Sequence, residues 1–124
     1  MEMILSSRLV SDFILPVIKS YSSRCSCGPN SAANLWAAIE MALSGLRPIT
    51  YTIAPFNTTR CLEQIKVDVC YHNAPVIIVG VGAGLSYVSL GATHQACEDI
   101  AFLRLLPNMA VVCPGDPIEA RQAL

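Results

Sequence analysis

The chain is 124 residues long, 53% apolar and 14% charged, with a formal net charge of −1. That length holds one domain with a buried core, spanning residues 1–124. The basic residues Arg8, Lys19, Arg24, Arg47, Arg60, Lys66, Arg104 and Arg121 are scattered rather than clustered, which argues against a nucleic-acid partner.

Met3 to Leu5 reads as a short first strand. Leu9 to Ser20 carries Leu9, Val10, Phe13, Ile14, Val17 and Ile18 at helical spacing, with Pro16 kinking the helix or delaying its start. Cys25 to Ser31 is a loop, after which Asn30 or Ser31 can cap an alanine-rich helix that runs to Leu43 and closes at Gly45. Ile49 to Ile53 is the next strand. A helix follows over about Thr58 to Tyr71, with Leu62, Ile65 and Val69 facing inward and Arg60 and Lys66 outward.

Asn73 ends that helix, and Pro75 to Val79 is a continuous apolar strand of the doubly covered kind. A glycine loop leads to a helix over His94 to Leu105. Pro107-Asn108 then turns the chain into a strand at Met109 to Cys113, and Asp116-Pro117 opens a last helix. This alternation predicts an α/β fold, a three-layer parallel sheet with helices on both faces. A further strand is expected after the last helix, so the chain reads as a partial domain.

The uncharged run from Asn73 to Cys97 is long enough to raise a membrane span. Its four glycines and two serines, and the lack of close Lys or Arg flanks, favour a buried strand and a loop instead. The first residues, with Glu2 and Arg8, do not form a secretory signal. Six cysteines without a C-x-x-C pair or zinc spacing to His72 or His94 fit reduced, packing thiols in a cytoplasmic protein.

Three features invite chemistry. Gly80-Val81-Gly82-Ala83-Gly84 follows a strand, but the third glycine of a dinucleotide fingerprint falls on Leu85, so the glycines serve the turn. His94 follows a parallel strand, the side of such sheets where ligands bind. Phe56 follows the end of the Ile49–Ile53 strand and is either a core ring or the wall of a planar ligand site.

Ordered motifs join these features. Tyr51-Thr52-Ile53-Ala54-Pro55-Phe56, Arg60, Glu63-Gln64-Ile65, Asp68 and Pro75 to Gly80 resemble the transketolase family. So do Gly91-Ala92-Thr93-His94-Gln95, Glu98-Asp99-Ile100-Ala101, Leu103-Arg104 and Leu106-Pro107-Asn108-Met109. The resemblance covers about Ala42 to Pro117 and points to the pyrimidine-binding domain of short transketolase C-terminal subunits and 1-deoxy-D-xylulose-5-phosphate synthases. It implies that Phe56 stacks on the aminopyrimidine of thiamine diphosphate and that His94 faces the reacting carbon and a sugar phosphate substrate. It also implies a partner domain or subunit that holds the diphosphate and its Mg or Ca ion, in a dimer or heterotetramer.

The pattern departs from the family in places. Ala92 replaces the usual proline, and Leu90 and Gly82 stand where full-length transketolases carry an aspartate and a histidine. The family's Gly-Ile-Ala-Glu-Gln-Asn segment, whose glutamate activates the pyrimidine ring, is replaced by Cys25-Ser26-Cys27-Gly28-Pro29-Asn30-Ser31, and no acid appears between Asp12 and Glu40. Codons for Ala-Glu-Gln read one base later give Pro-Asn-Ser, so a local frame change in the coding sequence is one reading. Divergence into a non-catalytic pairing module is the other.

Overall fold

The structure is a computed structural model that describes residues 2–6 and 31–124. The expected helix at Leu9–Ser20 and the Cys25–Asn30 segment lie outside the described residues. Among the described residues four parallel strands form one sheet: β1 (Glu2–Ser6), β2 (Ile49–Ile53), β3 (Ile77–Val81) and β4 (Ala110–Val112), in the order β2-β3-β1-β4. The register is continuous, with Ile77 of β3 opposite both Ile49 of β2 and Glu2 of β1.

Helix α1 (Ser31–Leu43) precedes β2. Its Leu35, Ala38, Ile39 and Ala42 recur at one-face spacing and are all buried, whereas Trp36, Glu40 and Leu43 are exposed. Its end is a Schellman motif. The Gly45 N–H donates to the Ala42 carbonyl at 3.0 Å, and the Leu46 N–H donates to the Met41 carbonyl at 3.1 Å. Gly45 has φ +91°, the left-handed conformation this cap requires.

Strand β3 is buried at every position, which is why its sequence reads as one apolar run. Alternate residues enter two cores. Val76 and Ile78 pack with Leu35, Ile39, Ile65, Val69 and Leu103, while Ile77 and Val79 pack with Ala120 and the half-buried Ile49 and Tyr51. Ala120 belongs to helix α5 (Pro117–Gln122), so helices cover both faces as the sequence predicts. Fully burying a side chain such as Ile78 is worth about 2–3 kcal/mol.

Three elements differ from expectation. The helix expected from Thr58 starts earlier, as α2 (Ala54–Asn57), and breaks at Thr58 with φ −113° and ψ −90°. It resumes as a 3₁₀ turn (Thr59–Cys61), a short α3 (Leu62–Gln64) and a π-wound stretch (Ile65–Tyr71). The inward face is nonetheless correct, since Ile65 and Val69 are fully buried and Arg60 and Lys66 exposed.

The strand expected at Pro75–Val79 is shifted to Ile77–Val81. Proline has no N–H to give a ladder, and the pairing begins where the Ile77 N–H donates to the Pro48 carbonyl at 3.0 Å. It runs on through Gly80, opposite Thr52 and Leu5. The helix expected from His94 is confined to α4 (Asp99–Leu103), because the Ala96 N–H and C=O bridge to Gly84 rather than joining a helical ladder.

Cys61 and Cys70 are fully buried in the core, while Cys97 and Cys113 are exposed thiols rather than packed inside. Among the described residues no helix is long and apolar enough to cross a membrane, and no cluster could hold a metal ion.

Candidate functional site

Strands β2 and β3 end level with each other, Ile53 opposite Val81. Whatever follows one strand therefore stands beside whatever follows the other, at the carboxyl edge of a parallel sheet where such folds bind ligands.

After β2 the chain enters α2 directly, with Pro55 in its first turn where a missing N–H costs no helical bond. Asn57 is buried and its side-chain amide donates to the Val79 carbonyl of β3 at 3.1 Å, tying α2 to the neighbouring strand. The Thr58 hydroxyl donates to the Ala54 carbonyl at 2.8 Å, and the Cys61 thiol donates to the Phe56 carbonyl at 3.2 Å. The break at Thr58 carries the next turn back over Phe56, so that the Arg60 guanidinium carbon sits 4.1 Å from the ring centroid. A cation over an aromatic face at that distance is attractive.

After β3 the chain turns at Gly82, φ +75°. A Cβ on Gly82 would overlap the Tyr87 ring, so this glycine serves both the backbone conformation and the seat of Tyr87. The loop is then closed by paired hydrogen bonds, the Gly84 N–H to the Ala96 carbonyl and the reverse, each 3.0 Å. Within it a turn ends with the His94 N–H donating to the Gly91 carbonyl at 3.0 Å.

This closure returns His94 to the end of β2. Its ring lies 5.2 Å from that of Phe56, centroid to centroid, with the planes at 63°. On its other side, His94 Nδ1 is 2.9 Å from the Thr93 hydroxyl. Phe56 and His94, singled out separately in the sequence, thus form one edge-to-face pair, and both are half-buried. Arg60, Asn57, Tyr87 and Thr93 join them and were not assigned roles from sequence. The Phe56–Arg60 spacing of one helical turn was the available signal for Arg60. Of the positions that depart from the family pattern, Gly82 is buried beneath Tyr87 and Leu90 is exposed in a 3₁₀ turn.

The arrangement suits a planar heteroaromatic ligand: a half-buried ring, held by its neighbours, beside an imidazole able to hydrogen-bond. It carries no acid. Among the described residues no carboxylate is hydrogen-bonded to or paired with His94 or Arg60. A separate groove of about 240 Å³, lined by Trp36, Ile39, Glu40, Leu43, Asp68 and His72, shares none of these residues.

The buried Asp99, at the start of α4, is the other polar feature near this loop. Its Oδ1 accepts the Ile100 N–H at 2.7 Å, and Oδ2 has no hydrogen-bond partner among the described residues. Burial holds its carboxyl above the ordinary value, with the Ile100 N–H opposing that shift.

Comparison with known proteins bears on this geometry. The sequence profile of the transketolase pyrimidine binding domain matches residues 33–124. The chain is 37% identical over 112 residues to a subunit of the apulose-4-phosphate transketolase of Actinobacillus succinogenes, an alignment covering 90% of this chain and 36% of the relative. It is 39% identical over 96 residues to the like-named subunit from Phocaeicola vulgatus, covering 77% and 31%. With the 1-deoxy-D-xylulose-5-phosphate synthase of Acidovorax ebreus it shares 40% over 87 residues, 70% of this chain and 14% of that one. The chain spans about a third of the length of the two transketolase relatives. The profile match takes in Phe56, Thr93 and His94 and begins beyond the Cys25–Ser31 segment. The chain belongs to the transketolase pyrimidine-binding domain family, whose members are parts of thiamine-diphosphate-dependent enzymes.

Proposed function

We propose that this chain is part of the pyrimidine-binding half of a transferase that moves a two-carbon ketol unit between sugar phosphates, and that it is inactive alone. The observation that carries this reading is the Phe56–His94 pair at the carboxyl edge of the sheet. Thiamine diphosphate, when bound, supplies the carbanion chemistry that side chains lack. Phe56 would take the aminopyrimidine against its ring, and His94 would hydrogen-bond substrate oxygen. A companion subunit would hold the diphosphate and its Mg or Ca ion, in a dimer or heterotetramer. That two relatives are named as subunits of a transketolase supports the existence of a companion. The setting is cytoplasmic, a compartment in which thiols stay reduced.

The missing acid favours a second reading, a non-catalytic, degenerate module that pairs with a partner but activates no cofactor. No acidic residue lies between Asp12 and Glu40, where the resemblance expects the activating glutamate. Loss of such a group removes about 10²–10⁴-fold of rate.

The two readings part in one experiment. The chain is mixed with the diphosphate-binding companion of the Actinobacillus succinogenes relative and assayed for thiamine diphosphate binding and ketol transfer. The proposal expects binding with weak turnover, and a gain of about a hundredfold or more when Asn30→Glu restores the acid. Binding with no turnover in either form would leave the pairing module. Absence of cofactor binding would overturn the catalytic reading.

A further inference from the structure

The chain has two histidines, and the structure holds their rings by opposite kinds of partner. His72 Nδ1 lies 3.0 Å from the Val67 carbonyl oxygen, which can only accept. A neutral His72 in that bond must carry its proton on Nδ1. His94 Nδ1 lies 2.9 Å from a hydroxyl, that of Thr93, which can also donate.

Thr93 makes no other hydrogen bond among the described residues, so the His94 Nδ1 lone pair is the protein acceptor within reach of its proton. If the ring donated instead, the hydroxyl proton of this exposed pair would turn to solvent, and it would lose the one protein acceptor it has among the described residues. We infer that Thr93 is a positioning residue: its hydroxyl donates to His94 Nδ1, fixing the neutral imidazole with its proton on Nε2. The two histidines of the chain then hold opposite tautomers.

The consequence for the site is directional. A neutral His94 fixed this way presents an N–H, not a lone pair, at the ring nitrogen that Thr93 does not hold. It acts as a hydrogen-bond donor to an oxygen, and as a base only after giving up that assignment. The Gly91–His94 turn sets the backbone beneath both residues, and the Phe56 ring restricts the imidazole from the side. Thr93 therefore acts through His94 and need not touch a ligand. The donor role rests on the function proposed above; the tautomer itself does not.

The test uses the full chain labelled with ¹⁵N and no cofactor. Long-range proton–nitrogen correlations are recorded at alkaline pH, and a His72→Gln sample assigns the two rings. The expected result is a pyridine-like Nδ1 with a pyrrole-like Nε2 for His94, and the reverse for His72. Thr93→Val should shift both His94 nitrogens toward the average of the two tautomers while leaving His72 unchanged, which also reports an intact fold at Val67. Thr93→Ser, which keeps the hydroxyl, should restore the wild-type pattern. A pyrrole-like Nδ1 on His94 in the wild type, or a pattern untouched by Thr93→Val, would overturn the assignment. Failure of the cofactor reading would leave this spectrum unaltered, so the two claims fail separately.

Discussion

The Phe56 ring meets the His94 imidazole at 5.2 Å although the two residues follow different strands. The level ends of β2 and β3 make this possible, and the Gly84–Ala96 bridge completes it by folding the long loop back. The site is thus a property of strand register and loop closure together. Each can be perturbed separately.

Loop closure depends on Gly82. Its φ of +75° and the Tyr87 ring seated against it leave no room for a side chain. Gly82→Ala should destabilise the fold by about 2–4 kcal/mol, combining backbone strain with overpacking. Adding Tyr87→Ala removes the overlap but not the strain, so the double variant should be less damaged than the sum of the two single changes. Denaturant unfolding of all four proteins measures this; a Gly82→Ala chain as stable as wild type would contradict it.

Asp99 gives the fold a pH signature. Burial raises its folded-state pKa above the ordinary 3.8. Between those two values the folded state binds more protons than the unfolded one, so this residue's contribution falls as pH rises. It is fully present below the unfolded value and lost as pH passes the folded one. Asp99→Asn should abolish that component of the slope in a plot of unfolding free energy against pH. An unchanged slope would show that Asp99 titrates normally.

The last helix makes a simpler prediction. Asp116 Oδ1 accepts from the Ile118 and Glu119 N–H groups, both at 2.8 Å, while Glu119 Oε2 accepts the Gly115 N–H at 2.7 Å. Asp116→Ala should cost about 1 kcal/mol of stability, read from thermal or denaturant unfolding. Because α5 brings Ala120 onto the second face of β3, the loss should propagate to the sheet rather than stop at a frayed end.

Much of this architecture was legible because several signals agreed. The Asp116-Pro117 start, the Gly45 stop and the all-apolar β3 each combine local preference with burial, and all appear in the structure. Two of the three misplaced boundaries share a cause: backbone hydrogen bonds made to distant chain. Ile77 is recruited by Pro48, and Ala96 by Gly84, and nothing in the neighbouring residues announces either partner.

The site was legible in a different way. Phe56 and His94 stood out through their positions after parallel strands and through family resemblance, whereas their meeting is a tertiary fact. Arg60 follows Phe56 by four residues, but the break at Thr58 that carries its guanidinium over the ring is not legible in the sequence. Thr93 could not have been assigned a role, since its hydroxyl matters only once the His94 ring is turned toward it.

If Phe56 forms the aminopyrimidine face, the most direct measurement is thiamine diphosphate affinity with and without that ring. Wild type and Phe56→Ala are each assembled with the diphosphate-binding companion and titrated calorimetrically, with circular dichroism confirming that the variant is folded. Stacking of this kind is worth roughly 0.5–1.5 kcal/mol beyond area burial, so Kd should rise about tenfold. An affinity unchanged by the loss of Phe56 in a folded assembly would contradict the claim and place the pyrimidine elsewhere.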